Sequence, residues 1–200
     1  MPQTVWTVGH SSLSSEAFFD LLSAEGITAV ADVRSAPYSR RNSHFDREEF
    51  KGRCDSAGVA YSFLGKELGG RPRHPKYFCD GVADYEKMAE SESFKSGLTR
   101  VLSGSERYKV AVMCSERHPL DCHRCLLVGR RLAELKVNIK HLLHDGSVLS
   151  QPDIEERLLS ESKQNDLFAS IPERVAAAYR ERNMKVGYVE RGRSVLQAAE

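Results

Sequence analysis

Val110-Ala111-Val112-Met113-Cys114 runs into Ser115-Glu116-Arg117-His118-Pro119-Leu120-Asp121 and then into Cys122-His123-Arg124-Cys125-Leu126-Leu127. Five apolar residues without polar alternation describe a strand covered on both faces, as in parallel sheets. Pro119 marks a turn. Leu126, Leu127, Gly129 and Leu132 then recur at helical spacing, so a helix is expected over 122–135. Strand, polar turn and helix in that order form one βα unit, and the same order can be sought on either side.

It recurs. Downstream, 137–143 reads as a strand. Upstream, 5–9 is a β-prone run ending in Gly9-His10-Ser11-Ser12. Ser14 or Ser15 can cap a helix over 16–25, and Gly26 stops it. Residues 27–33 are β-branched and end in Asp32-Val33-Arg34. A polar stretch with Pro37, Arg40 and Arg41 follows, and Asp46 opens a helix to about residue 57. A third strand is expected over 59–64, an irregular segment over 65–80, helical pattern over 83–102 and a fourth strand over 108–114. Strands alternating with helices imply an α/β fold. The expectation is a single three-layer domain, residues 1–144, around a mainly parallel sheet of about five strands. Beyond it, 152–159 and 172–182 read as short helices with proline in the first turn. Residues 145–200 are therefore expected as a helical C-terminal extension, mobile in part.

Composition narrows the function classes. The net charge of +1 gives no global drive toward nucleic acid or a membrane, so any basic site must be local. The apolar runs are too short to span a bilayer, so no membrane partner is expected. Met1-Pro2-Gln3-Thr4 lacks the basic start of a secretory signal. Five cysteines, an odd number in a chain large enough to do without disulfide staples, read as reduced thiols, and a cytoplasmic location is expected.

The chemistry is legible in where the polar residues fall. His10 and Ser11 follow the first strand. Asp32 and Arg34 end the second. Gly69 and Gly70 lie in the loop after the third, Cys114 and Glu116 end the fourth, and His144 follows the fifth. Ligands of open parallel sheets bind at the carboxyl ends of the strands. Cys122 falls near a helix start, where free N–H groups and the helix dipole favour thiolate, with Asp121 as the expected cap. It is therefore expected to be the more acidic thiol, and Cys114 the less exposed one. Four readings of the cysteines stand side by side. Cys114 or Cys122 is a nucleophile beside an anion site; Cys122 and Cys125 form a redox pair; Cys114, Cys122, Cys125 and a histidine hold a soft metal; or the cysteines simply pack. Arg34, Arg40, Arg41, Arg71, Arg73 and His74 make two local basic clusters on the same sheet edge, which suit a phosphate, carboxylate or sulfonate.

Four blocks resemble one family. Thr7-Val8-Gly9-His10-Ser11, Asp32-Val33-Arg34 with Pro37 and Ser39-Arg40, Leu64-Gly65 with Leu68-Gly69-Gly70, and Met113-Cys114-Ser115-Glu116 with Cys122-His123-Arg124 are similar, in order over residues 4–144, to the bacterial and archaeal family catalogued as domain of unknown function 488 (DUF488). The resemblance implies a fold and a site but no reaction. A second, architectural likeness is to rhodanese-type sulfurtransferases, although Arg124 lies ten residues past Cys114, beyond the compact loop of those enzymes.

The leading expectation is a thiol-dependent enzyme, a transferase or hydrolase, for a small anionic or nucleotide-like substrate. Cys114 is the candidate nucleophile and Cys122 the second thiol. Glu116, His10, His123 and Asp32 are candidate catalytic groups. Arg34, Arg40, Arg124, Ser11, Gly69, Gly70 and His144 would bind substrate. His10, Arg34, Cys114 and Cys122 are expected to converge on one pocket. Under this reading no residue is assigned to a metal, and no cofactor is specified. The alternatives are a nucleotide or nucleic-acid-binding module with structural cysteines, and a soft-metal-binding protein.

Overall fold

The computed structural model describes residues 3–39, 41–162 and 168–190. Its strands are β1 (Thr4–Gly9), β2 (Ala29–Asp32), β3 (Ala60–Phe63), the short hairpin pair β4 (Phe78–Cys79) and β5 (Val82–Ala83), then β6 (Val110–Cys114), β7 (Asn138–Leu142) and β8 (Val148–Ser150). The main sheet has the order β3-β2-β6-β1-β7-β8. The first five of these run parallel, and β8 adds an antiparallel edge to β7. The expected mainly parallel α/β sheet is present, with one more strand than the apolar runs announced.

β6, the most apolar strand, lies in the interior of the sheet between β2 and β1. Its register sets Cys114 opposite Gly9 and Met113 opposite Asp32. Successive side chains of a strand point to opposite faces. Ala111 and Met113 therefore join one core with Trp6, Val8, Phe18, Phe45 and Phe50. That layer is supplied by helices α1 (Ser15–Ala24) and α2 (Arg47–Ser56). Val110, Val112 and Cys114 face the other core with Leu120, Leu126 and Leu127. The second layer holds α3 (Gly65–Leu68), α4 (Tyr85–Ala89), α5 (Glu92–Ser105), the helix that follows Cys122, and α7 (Gln151–Glu161) and α8 (Ile171–Val186). Pleat parity thus sends Cys114 to the face that the Cys122 helix covers.

Local chemistry explains most boundaries. Ser14, not Ser15, caps α1, its hydroxyl accepting from the Ala17 N–H. The helical pattern of 83–102 breaks into α4 and α5 because the Ser91 hydroxyl accepts from the Phe94 N–H and starts a new helix. Within the irregular segment, α3 and a turn of 3₁₀-helix at Pro75–Tyr77 form. The helix after Cys122 begins as a π-helix, Arg124–Gly129, and narrows into α6 (Arg130–Glu134). π-turns are rare and cluster at functional sites. After β8, α8 brings Ala178 and Tyr179 into the core, and Asn183 bridges the Ala83 carbonyl and the Tyr85 N–H.

Candidate functional site

Cys122 stands in extended conformation just ahead of the π-helix. Its carbonyl accepts from the Cys125 and Leu126 N–H groups, and its Sγ accepts from the Arg124 N–H at 3.4 Å. The thiol sulfur thus serves as the helix cap. Asp121, expected in that role, pairs instead with Arg182 at 2.5 Å.

Four groups meet around this sulfur. The Glu116 carboxylate accepts from the Cys114 thiol at 3.0 Å and from the Cys122 thiol at 3.1 Å. His123 Nδ1 lies 3.6 Å from Cys114 Sγ and 3.9 Å from Cys122 Sγ. One donor atom from each of Cys114, Glu116, Cys122 and His123 falls within 4.8 Å of all the others. His123 Nε2 is 3.0 Å from the Val33 carbonyl, which can only accept, so Nε2 carries a proton; Nδ1 faces the cluster, as a lone pair in the neutral ring and as a donor in the cation. Gly70 makes room for the ring: a Cβ there would stand 2.7 Å from His123 Cγ.

The electrostatics are those of a buried anionic cluster beside a cation. Burial pushes the Cys114 thiol up, and Cys122 and Glu116 push it further. Burial opposes ionisation of Cys122 too, but the hydrogen bond from Cys114 and the charges of Arg124 and His123 bring it well below its usual value. Cys122 is the more acidic thiol, as expected, but through these neighbours and not through a place in the first helical turn. The two are equally hidden, at 3% and 2% exposure, so the expected difference in accessibility is absent. Burial raises Glu116 and would lower His123, whose neighbours Cys122 and Glu116 raise it instead.

Arg124 is wholly buried. It donates to the Glu116 carbonyl at 2.6 Å and the Arg117 carbonyl at 3.0 Å, holding the loop that presents Glu116. The loop comes so close that a Cβ on Gly9 would lie 1.9 Å from the Glu116 carbonyl oxygen. No carboxylate pairs with Arg124 among the described residues, and the Cys122 thiol is the first group whose charge favours its cationic form.

A cavity of about 140 Å³ opens above the cluster, lined by Cys114, Glu116, His123, Arg34, Arg71 and Tyr85 among others. Of the four residues expected to converge, Arg34 and Cys114 reach it. Cys122 lies beneath, bonded to Glu116. His10 stands behind Arg34, its Nε2 3.3 Å from Nη1 and its ring stacked on Phe45. A roomier cleft, about 720 Å³ near Tyr179 and Pro172, holds none of the four.

The other expected residues divide clearly. Asp32 is buried and bidentate to Arg34, at 2.9 and 2.7 Å, and accepts from the Tyr61 hydroxyl at 2.8 Å. It positions Arg34 and does not face the cavity. Asp32 takes two of the five guanidinium N–H groups of Arg34 and His10 Nε2 faces a third, which leaves two. Ser11, in left-handed backbone at φ 44°, offers its carbonyl to His10 and Asn42. His144 binds the Gly9 carbonyl at 2.7 Å. Gly69 lines a neighbouring cleft, and Arg40 lies outside the described residues. Cys125 is buried away from the cluster, and burial pushes its thiol far up. Tyr85, Ser35 and Tyr188 line the cavity without any sequence signal beyond packing or loop residues.

The family model described as domain of unknown function DUF488 matches residues 14–130. The chain belongs to the DUF488 family. The DUF488 span contains Asp32, Arg34, Cys114, Glu116, Cys122, His123 and Arg124, so the thiol cluster and its supports lie within it; His10 and β1 precede it. No curated protein and no solved structure matches the chain.

Proposed function

We propose that this DUF488 chain is a metal-dependent enzyme for a small anionic substrate, in which Cys114, Cys122, His123 and Glu116 would hold a soft divalent cation such as zinc. One observation carries the reading: two thiols, an imidazole Nδ1 and a carboxylate present donor atoms within 4.8 Å of one another. Thiolate, imidazole and carboxylate are the ligand types of zinc. The hydrogen bond from His123 Nε2 to Val33 is the usual support of a metal-binding histidine, fixing both tautomer and ring.

Charge supports it as well. A buried, unpaired guanidinium is costly. Two thiolates and one carboxylate carry three negative charges, which a dication and Arg124 together cancel. Three ligands are buried and the fourth, Glu116, is exposed on the cavity wall. The exposure of Glu116 supports a fourth position that could open to a substrate, as the fourth position of catalytic sites does. A cation held here would supply Lewis-acid polarisation of a substrate oxygen. Arg71 and the two spare N–H groups of Arg34 would orient the substrate's negative charge. In this reading Cys114 is a ligand and not the nucleophile.

A second reading, metal-free thiol chemistry, is favoured by the Arg124 N–H on Cys122 Sγ. One experiment separates them. Protein dialysed against zinc and then buffer is analysed for metal by plasma mass spectrometry, before and after Cys114→Ser and His123→Ala substitution. The metal reading expects about one zinc per chain, lost in both variants, with zinc protecting Cys122 from iodoacetamide. Protein that stays zinc-free, with Cys122 rapidly alkylated at neutral pH whether or not zinc is added, overturns it in favour of the thiolate.

A further inference from the structure

The cavity above the cluster is small. At about 140 Å³ it falls short of the roughly 300–1,000 Å³ usual for clefts that bury a metabolite-sized ligand. It is also not closed. Ser35 and Arg71 line both this cavity and a second cleft of about 480 Å³, so the two adjoin, with Arg71 at the join. Together they offer room for a metabolite-sized ligand, which the inner cavity alone does not.

The outer cleft is basic. Lys66, Arg71, Arg73 and His74 line it, against one carboxylate, Glu67, which is committed to Arg100. Lys66, Arg71 and Arg73 pair with no carboxylate among the described residues. His74 Nδ1 accepts from the Lys76 N–H at 3.2 Å, which leaves Nε2 as the proton-bearing nitrogen. The Arg71 N–H is tied to the Ser35 hydroxyl at 3.0 Å, and its guanidinium lies 5.3 Å from the Tyr188 ring centroid. Arg71 is thus held on both sides at the passage between the chambers. Fork-shaped guanidinium groups, an ammonium and an imidazole around one cleft match the several acceptor oxygens of a phosphate better than the two of a carboxylate.

We propose that the outer cleft is a phosphate subsite: the substrate is a phosphate ester whose phosphate lies among Lys66, Arg71, Arg73 and His74, while its reacting end passes Arg71 to the thiol–imidazole cluster. The substrate's orientation rests on reading that cluster as the reactive centre. The phosphate subsite itself does not need the metal.

The test uses the full chain, zinc-loaded and chelator-treated in parallel, with adenosine monophosphate as the probe and adenosine as the phosphate-free control. Binding is followed by calorimetry and by backbone amide shifts over residues 65–74. The monophosphate should bind both forms and shift those amides, and adenosine should not. A Lys66→Ala, Arg73→Ala double variant, altered only at exposed side chains, should bind at least about tenfold more weakly, since each charge-assisted contact is worth about a decade. Equal binding by the double variant, equal binding of adenosine, or no monophosphate binding by either form overturns the proposal. So does a single-stranded oligonucleotide that binds far more tightly, with steep salt dependence, at the same amides: that cleft would be a nucleic-acid surface. A chain that takes up no zinc yet binds the monophosphate refutes the metal reading and leaves the subsite standing.

Discussion

Gly70→Ala tests whether the His123 ring is held to a tolerance that metal binding requires. Gly70 is not in left-handed backbone, so alanine brings no backbone strain, and the effect is steric alone. The new methyl would stand 2.7 Å from His123 Cγ and 2.9 Å from its Cβ and Nδ1. To restore a carbon–carbon contact of about 3.5 Å, ring and loop must separate by roughly 0.8 Å. The ring cannot retreat freely, because Nε2 is bonded at 3.0 Å to the carbonyl of Val33, a buried residue just past β2. Overpacking of this kind costs about 1–3 kcal/mol. Metal sites tolerate about 0.2 Å in ligand distance, and disturbing a ligand's support costs about 10–100-fold in affinity. The expected result is therefore a zinc affinity lower by that factor in chelator competition, together with a lower melting temperature of the zinc-free protein. A Gly70→Ala protein whose zinc affinity stays within about twofold of the parent, at unchanged melting temperature, would refute the claim that Gly70 and Val33 clamp the imidazole.

Three further outcomes follow from the packing. Gly52→Ala, in α2 with nothing within 4 Å of the added Cβ, should stabilise by about 0.5–1 kcal/mol and raise the melting temperature by a few degrees; an unchanged or lower value would contradict the open surface there. Asp32→Ala strips the buried partner from Arg34 and the acceptor from Tyr61, and should cost about 3–5 kcal/mol in urea unfolding, against under about 1 if Asp32 were merely a surface-like polar group. His141 is buried between the Thr7 hydroxyl at 2.8 Å and Gln151 at 3.0 Å, and burial lowers its pKa from 6.5 to about 4. The unfolded chain then takes up a proton that the folded chain refuses, so this contribution is intact above pH 6.5 and is lost as pH falls toward 4. His10, lowered to about 4 chiefly by burial, acts in the same direction. Unfolding free energies between pH 7 and 4.5 should fall steeply, and less steeply in His141→Gln; parallel slopes for the two proteins would refute the assignment.

The sequence alone determined the sheet and the edge on which the chemistry sits. Unbroken apolar runs such as Val110–Cys114 and helical spacing after Cys122 are properties of neighbouring residues, and periodicity reads them directly. It also put Asp32, Cys114 and Gly9 at strand ends, which the register then aligned. The short β8, of three residues, was below what any period can register, and so were the hairpin of β4 and β5 and the break between α4 and α5. The membership of the site was decided only in three dimensions. Spacing offered Cys125 as the partner of Cys122, but the π-winding of Arg124–Gly129 buries that thiol, whereas Glu116, read as an acid–base group, is turned onto both sulfurs by the Arg124 hydrogen bonds to its loop. Asp32 and His10 carried reactive side chains in the right place along the chain, yet Arg34 stands between them and the cavity. Tyr85 and Tyr188 arrive from α4 and from the end of α8, far from every motif. A local pattern fixes which face a residue is on and how far along a strand it lies. Which groups then touch depends on loop paths and on what each buried polar atom needs for a partner, and those conditions are met across the fold and not along the chain.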